Sequence, residues 1–352
     1  MQIFSDMVYM PYINDVWKPF RKDTWRFSFV LPHRDDFREL SNNCEKTAFL
    51  LRVLSIYSMT CGALGHPGGS FSDAELLSVL YEYVLKHKAD EPNWKMRDVF
   101  YLSKCHACPS TYAILALFGY FDISELKNYG TWGAMLESHP DRLKTPGIEI
   151  SGGSLGQIPG VAVGRALAIK QKGPDHANRM VYSLVGDGEC DEGSVWEAFM
   201  SAAAYCLDNL VFIIDYNKVQ AKGFVNDDMK IEPLGDKLRA FGMDVREIRN
   251  GHDVTEIINV FNDILVNRRG KPFAVILNTI KGYPVERCEY NPNWHTSAPR
   301  SKEMAREWLE ELWIKDGQRM GIPHEFIENI VSDIEISKPL HGEVDKFEDR
   351  QA

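Results

Sequence analysis

Gly186-Asp187-Gly188 and, further on, Asn217 are the residues of this chain whose types and places best suit holding a cation beside an anion. Each stands at the end of an apolar run, RMVYSLVGDGE and NLVFIIDYN, and ligands of open α/β sheets gather beyond the carboxyl ends of strands. A carboxylate and an amide oxygen are the hard ligands that Mg²⁺ or Ca²⁺ prefers, and the backbone carbonyl of Val219 is near enough to be a third. The glycines around Asp187 would let a diphosphate approach the backbone and the start of the helix expected near Ser194. A glycine pair around a capping aspartate gives the same local pattern, so spacing alone leaves both readings open.

Other chemistries find less support. No GxGxxG stands at a first strand–helix turn and no GxxxxGK[ST] occurs, which weakens nicotinamide redox and nucleotide hydrolysis. Cys105, His106 and Cys108 have the residue types of a zinc site, but no second Cys or His pair follows at finger spacing. Five of the ten histidines, His66, His106, His139, His252 and His295, lie in loops rich in glycine or proline. Such a set suits a pocket that needs neutral donors and proton shuttles near pH 7.

The elements that would position these residues follow from hydrophobic period. Helices are expected over 35–61, over FSDAELLSVLYEYVL with Ser72 and Glu75 at capping-box spacing, over TYAILALFGYF, after SLGQ, over SVWEAFMSAAAYCL and over GHDVTEIINVFNDILVN. Strands are expected at DVFYLS, at the two apolar runs above, at 244–248 and at PFAVILNTI. HPGGS reads as a loop, residues 303–316 as an amphipathic helix, and the acidic tail beyond as without clear order. Buried strands alternating with helices indicate an α/β fold with a mainly parallel sheet.

Composition sets the class. The 352 residues carry 40 Lys and Arg against 50 Asp and Glu, a formal charge of −10 that disfavours nucleic acid as a partner. Seven thinly spread cysteines fit reduced thiols in the cytoplasm better than a disulfide framework. The opening residues lack a basic start and an apolar block, so no secretion signal is expected, and no run is long enough for a membrane span.

Read in order, GHPGGS at 65–70, LSKCHACPSTYA at 102–113, HPDRLKTPGIEISGGSLGQ at 139–157, GDGECDEGSVWEA at 186–198, DYNKVQAKG at 215–223, GHD at 251–253 and NPNWHTSAP at 291–299 form one series. It resembles the N-terminal, diphosphate-binding half of transketolase, in the form split over two polypeptides. The pair GDG and Asn is shared by thiamine-diphosphate enzymes at large, including deoxyxylulose-phosphate synthases and 2-oxo acid dehydrogenases; the histidine set and the SLGQ loop are narrower.

The resemblance implies a three-layer thiamine-diphosphate-binding fold, with residues 39–302 as the diphosphate-binding domain, 1–38 as an N-terminal extension and 303–352 as a C-terminal helical extension. It implies thiamine diphosphate anchored through Mg²⁺, with Ca²⁺ or Mn²⁺ as substitutes, on Asp187, Asn217 and the Val219 carbonyl. Gly186, Gly188 and Glu189 would lie by the diphosphate, and Gly153, Ser154 and Leu155 by the aminopyrimidine. His66 and His106 would face the diphosphate and the reacting carbon, while His139 and His295 would bond donor hydroxyls and move protons. Glu192 resembles the acidic residue of the subunit contact. The implied reaction transfers a two-carbon ketol unit from a ketose, by default a phosphate but open to sulfonated, deoxy or branched sugars, to an aldose. The implied partner is a C-terminal subunit carrying the pyrimidine-binding domain and an activating glutamate, in an α2β2 heterotetramer. The chain alone is therefore expected to bind thiamine diphosphate weakly, and turnover by the isolated polypeptide would contradict this.

Overall fold

A computed structural model describes residues 34–337. Its strands β1 (Val99–Leu102), β2 (Val181–Gly186), β3 (Leu210–Tyr216), β4 (Asp244–Ile248) and β5 (Phe273–Asn278) form one parallel sheet in the order β1-β2-β3-β5-β4. β2 and β3 are buried along their whole length, which is why their sequences run apolar instead of alternating.

Helices cover both faces. On one, α1 (Arg34–Gly62), α2 (Pro67–Ser72), α3 (Ala74–Val79) and α4 (Cys108–Leu117) share a core with Leu184, Val211 and Ile213. On the other, α5 (Gln157–Gln171), α6 (Gly193–Ala204) and α7 (Leu234–Ala240) pack on Val185, Phe212 and Ile214. The chain then returns to the first face with α8 (Val254–Val266), α9 (Lys302–Leu312) and α10 (His324–Asp333). This is the expected three-layer architecture. Among the described residues no helix is long and apolar enough to cross a membrane.

Three local expectations give way to longer-range demands. HPGGS is not a loop beyond His66: Pro67 fits the first position of α2, where a missing N–H costs nothing. Ser72 does not cap the next helix, because its hydroxyl donates to the Asp215 carboxylate at 2.7 Å, while Glu75 is bound by Arg52. The tail holds α10, whose Phe326, Ile327, Ile330 and Val331 are buried among acidic neighbours. Residues 1–33 and 338–352, including nearly all of the expected N-terminal extension, lie outside the described residues.

The C-terminal helices join the main core. Trp308 is 1 % exposed and packs edge-on against Phe71 at 6.2 Å and Trp294 at 5.0 Å between ring centres. Tyr57 of α1 donates to Asp333 at the end of α10 at 2.9 Å. Trp308→Ala is expected to cost about 3–5 kcal/mol through lost burial and a residual cavity. Denaturant unfolding should lose Trp308 and the sheet in one transition; a separate, weaker transition for α9 and α10 would contradict a shared core.

Candidate active site

Four strand ends converge at the carboxyl edge of the sheet. β1 runs into Ser103, Lys104 and His106, β2 into Asp187, β3 into Asn217, and β5 into Thr279 and Lys281. The floor beneath them is ionic and dry. The Asp215 carboxylate accepts from Lys104 Nζ at 2.6 Å, Ser72 Oγ at 2.7 Å, Asn217 Nδ2 at 2.8 Å and the Thr279 hydroxyl. Lys104 also donates to the Gly69 carbonyl at 2.9 Å and pairs with Asp73 at 3.2 Å. Burial alone would raise the Asp215 pKa, but the Lys104 ammonium and these hydrogen bonds hold it below its ordinary value. Burial pushes Asp73, the less well-served carboxyl, up to about 7.

Above this floor stand the hard oxygens. Asp187 accepts from the backbone N–H of Gly188 at 2.7 Å and of Lys218. Burial, reinforced by the nearby Asp215 charge, pushes its carboxyl up to about 7. A buried carboxylate of that kind is favoured by a nearby positive charge, which Lys281 supplies only in part. Because the Asn217 amide nitrogen is spent on Asp215, its Oδ1 is turned toward the Val219 N–H at 3.2 Å. The Val219 carbonyl accepts from Lys281 Nζ at 2.6 Å, and the same ammonium lies 2.8 Å from His295 Nδ1. Lys281 was not singled out by sequence reasoning. A lysine three residues past an apolar strand end is common on surfaces; only its 3 % exposure marks it out. Burial lowers its pKa to about 8.

Four of the five loop histidines meet here. His66 lies 5.1 Å from His106, 6.1 Å from His139 and 5.6 Å from His295 between ring centres, and His106 lies 5.2 Å from His295. His66 is delivered by Gly65, whose φ of +151° and contact at 2.4 Å between a built Cβ and the Met59 side chain exclude larger residues. Its Nδ1 is buried without a hydrogen-bond partner. The fifth, His252, lies apart and bonds Glu75. Burial lowers all four clustered histidines, with added repulsion from His139 and Lys281 on His66, which falls to about 4. His106 falls well below its ordinary value, His295 to about 3, and His139 is lowered by burial alone. The cluster is therefore neutral at pH 7.

The remaining expected residues take varied places. Gly153 and Ser154 are exposed and Leu155 half-buried; a Cβ on Gly153 would stand 3.4 Å from the His139 ring. Glu189 turns inward, accepting from Ser103 Oγ at 2.5 Å, Gly156 N at 2.8 Å and Gly186 N at 3.1 Å, so it ties β1, the SLGQ loop and β2 together. A Cβ on Gly188 would meet Gln220 at 2.9 Å, so its smallness serves that contact. Glu192 is exposed at the start of α6. Cys105 and Cys108 are buried thiols that donate to the Leu102 and Ser138 carbonyls at 3.1 and 3.2 Å. Among the described residues the cluster of possible metal-binding side chains is elsewhere, at Glu310, His324 and Glu328, where Arg306 already pairs with Glu328.

Two outcomes follow from this geometry. Asp215→Ala leaves the buried Lys104 ammonium without its closest partner and should cost about 3–5 kcal/mol in denaturant unfolding; a loss below a tenth of that would contradict the floor's role. A histidine held neutral binds fewer protons folded than unfolded, so stability falls as pH drops from the unfolded value of 6.5 toward about 4 for His66. His66→Gln should flatten the dependence of melting temperature on pH across that window; an unchanged slope would contradict it.

The comparisons with known proteins identify the family. The family model described as "Transketolase, thiamine diphosphate binding domain" matches residues 44–346. The chain is 43 % identical over 235 residues to the 6-deoxy-6-sulfo-D-fructose transketolase subunit SqwG of Clostridium sp. (strain MSTE9), covering 67 % of this chain and 84 % of that one. It is 38 % identical over 281 residues to one of the subunits of the apulose-4-phosphate transketolase of Actinobacillus succinogenes, covering 80 % and 98 %. Transketolase from Leishmania mexicana superposes with a TM-score of 0.71 at 28 % identity, covering 83 % of this chain and 44 % of that one. Transketolase from Campylobacter jejuni gives 0.72 at 31 %, covering 82 % and 45 %. The chain thus spans less than half the length of those two transketolases and most of the length of the two named subunits. It belongs to the transketolase family of transferases, to which it contributes a thiamine-diphosphate-binding domain.

Proposed function

We propose that this chain is the diphosphate-binding subunit of a two-polypeptide transketolase that moves a two-carbon ketol unit from a ketose to an aldose. The observation that carries the reading is the cluster of four histidine rings beside the strand ends from which Asp187, Asn217 and Val219 follow. The residues present fit the implied group. The Asp187 carboxylate, the Asn217 amide oxygen and the Val219 carbonyl are a donor set for Mg²⁺, and the nearby Lys281 only partly offsets the burial and the Asp215 charge that raise the Asp187 carboxyl. The buried Nδ1 of His66 lacks a partner that a ligand would supply.

When bound, thiamine diphosphate supplies the carbon centre that allows a C–C bond beside a ketose carbonyl to be cut and remade. The protein's own work is to bind, orient and move protons. Asp187, Asn217 and Val219 hold the ion, and Lys281 sets a second positive charge between Val219 and His295, where a diphosphate is favoured. In this reading His66 and His106 face the diphosphate and the reacting carbon, while His139 and His295 donate hydrogen bonds to donor hydroxyls and move protons once a bound anion raises their proton affinity. Gly153 lies beside the His139 ring, and in this reading Gly153, Ser154 and Leu155 take the aminopyrimidine side.

The second polypeptide completes the site in this proposal, bringing the pyrimidine-binding domain and the activating glutamate in an α2β2 assembly. Support comes from the names of the two relatives, both subunits, and from the share of the longer transketolases that this chain spans. The donor we infer is a ketose with an anionic far end, a phosphate or a sulfonate, as the names of the same relatives suggest.

Asp187→Ala is expected to abolish Mg²⁺-dependent retention of thiamine diphosphate by the assembled enzyme; calorimetry showing unchanged affinity would contradict the ligand assignment. The assembled enzyme should turn over a phosphorylated or sulfonated ketose donor with an aldose acceptor in a coupled assay. Binding of the cofactor without turnover of either donor class would overturn the substrate reading and leave the cofactor reading standing.

A further inference from the structure

The GHD segment at 251–253 has no part in the chemistry above, and its histidine lies outside the cluster. His252 is nevertheless tightly held. Its Nδ1 is 3.0 Å from Glu75 Oε2, its Nε2 accepts from the Ile280 N–H at 3.0 Å, and its ring stacks on Tyr283 at 4.2 Å. Acceptance at Nε2 fixes the tautomer: the proton sits on Nδ1 and is given to Glu75. Glu75 in turn receives two bonds of 2.6 Å from Arg52. Arg52 also donates to the Tyr283 carbonyl and to the Phe71 carbonyl, both at 3.0 Å.

These three side chains therefore grip the segment 280–283 at both ends and the end of α2 from behind. Between the grips, Gly282 N donates to the Gly68 carbonyl at 3.1 Å. The gripped segment carries Lys281, which reaches the opposite way to Val219 and His295, and α2 begins one residue after His66. A chain held at Ile280 and Tyr283 leaves Lys281 little freedom, and outer partners of this kind set the precision of the residues that touch a ligand.

We propose that His252, oriented by the Arg52–Glu75 pair, is a positioning residue that sets the place of Lys281, and through it of His295 and the Val219 carbonyl, for binding magnesium thiamine diphosphate. This rests on the function proposed above. The bond to the Ile280 N–H carries the effect, not ring packing or the bond to Glu75.

Three variants of the full chain separate these contributions. His252→Phe keeps a stacking ring and loses both hydrogen bonds. His252→Asn can still donate to Glu75 but is too short to reach Ile280, whereas His252→Gln places an amide oxygen near the position of Nε2. Hydrogen exchange of the 280–283 peptide and calorimetric affinity for magnesium thiamine diphosphate, both measured in the fully assembled enzyme, are the readouts. The Phe and Asn variants should exchange the Ile280 amide faster and bind about tenfold more weakly or worse, and Gln should restore both toward the wild type. Wild-type affinity in the Asn variant, or a Gln variant as weak as Asn, would overturn the proposal. If the Phe variant does not fold, the Asn and Gln pair decides. Should the wild type itself not bind the cofactor, the functional reading falls, and the exchange data alone decide whether His252 clamps the segment.

Discussion

The ion pair between Lys104 and Asp215 is the constraint on which the site is built. Both side chains are fully buried, and a buried pair of charges is tolerated only where its remaining hydrogen-bonding capacity is met. Here the partners that meet it come from separate elements: Ser72 at the end of α2, Asn217 after β3, Thr279 after β5 and the Gly69 carbonyl. Satisfying one pair of charges therefore fixes these segments to one another. It also orients the Asn217 amide, since a nitrogen committed to Asp215 turns the oxygen toward the Val219 N–H.

The same charges set the electrostatics above the floor. Burial lowers all four imidazoles, and the ammonium groups of Lys104 and Lys281 add repulsion at His106 and His295, so these histidines stay neutral where isolated ones would be partly charged. Neutral imidazoles next to buried ammonium groups put the positive charge of this region on lysine and not on histidine. Burial, by contrast, raises the carboxyl of Asp187, which is why a divalent ion at that point is chemically reasonable.

Much of this was legible in the sequence where chemistry and strand ends coincide. Asp187, Asn217 and the four histidines sit in motifs whose order identifies the family, and β2 and β3 are apolar enough to read directly. What was not legible depends on contacts between distant segments. Ser72 has the spacing of a cap, yet Asp215, 143 residues away, takes its hydroxyl. Glu189 lies in the right motif, but its bonds to Ser103 and Gly156 turn it from the pocket toward the scaffold. Lys281 and His252 become informative only through burial and partners. α10 hid because an acidic surface surrounds its short apolar stripe.

The central claim is that a divalent ion binds on the ends of β2 and β3. Anomalous diffraction from crystals of the assembled enzyme with Mn²⁺ and thiamine diphosphate tests it most directly. The account predicts a manganese peak bounded by the Asp187 carboxylate, the Asn217 amide oxygen and the Val219 carbonyl. A peak confined to Glu310, His324 and Glu328, with none at the strand ends, would contradict it.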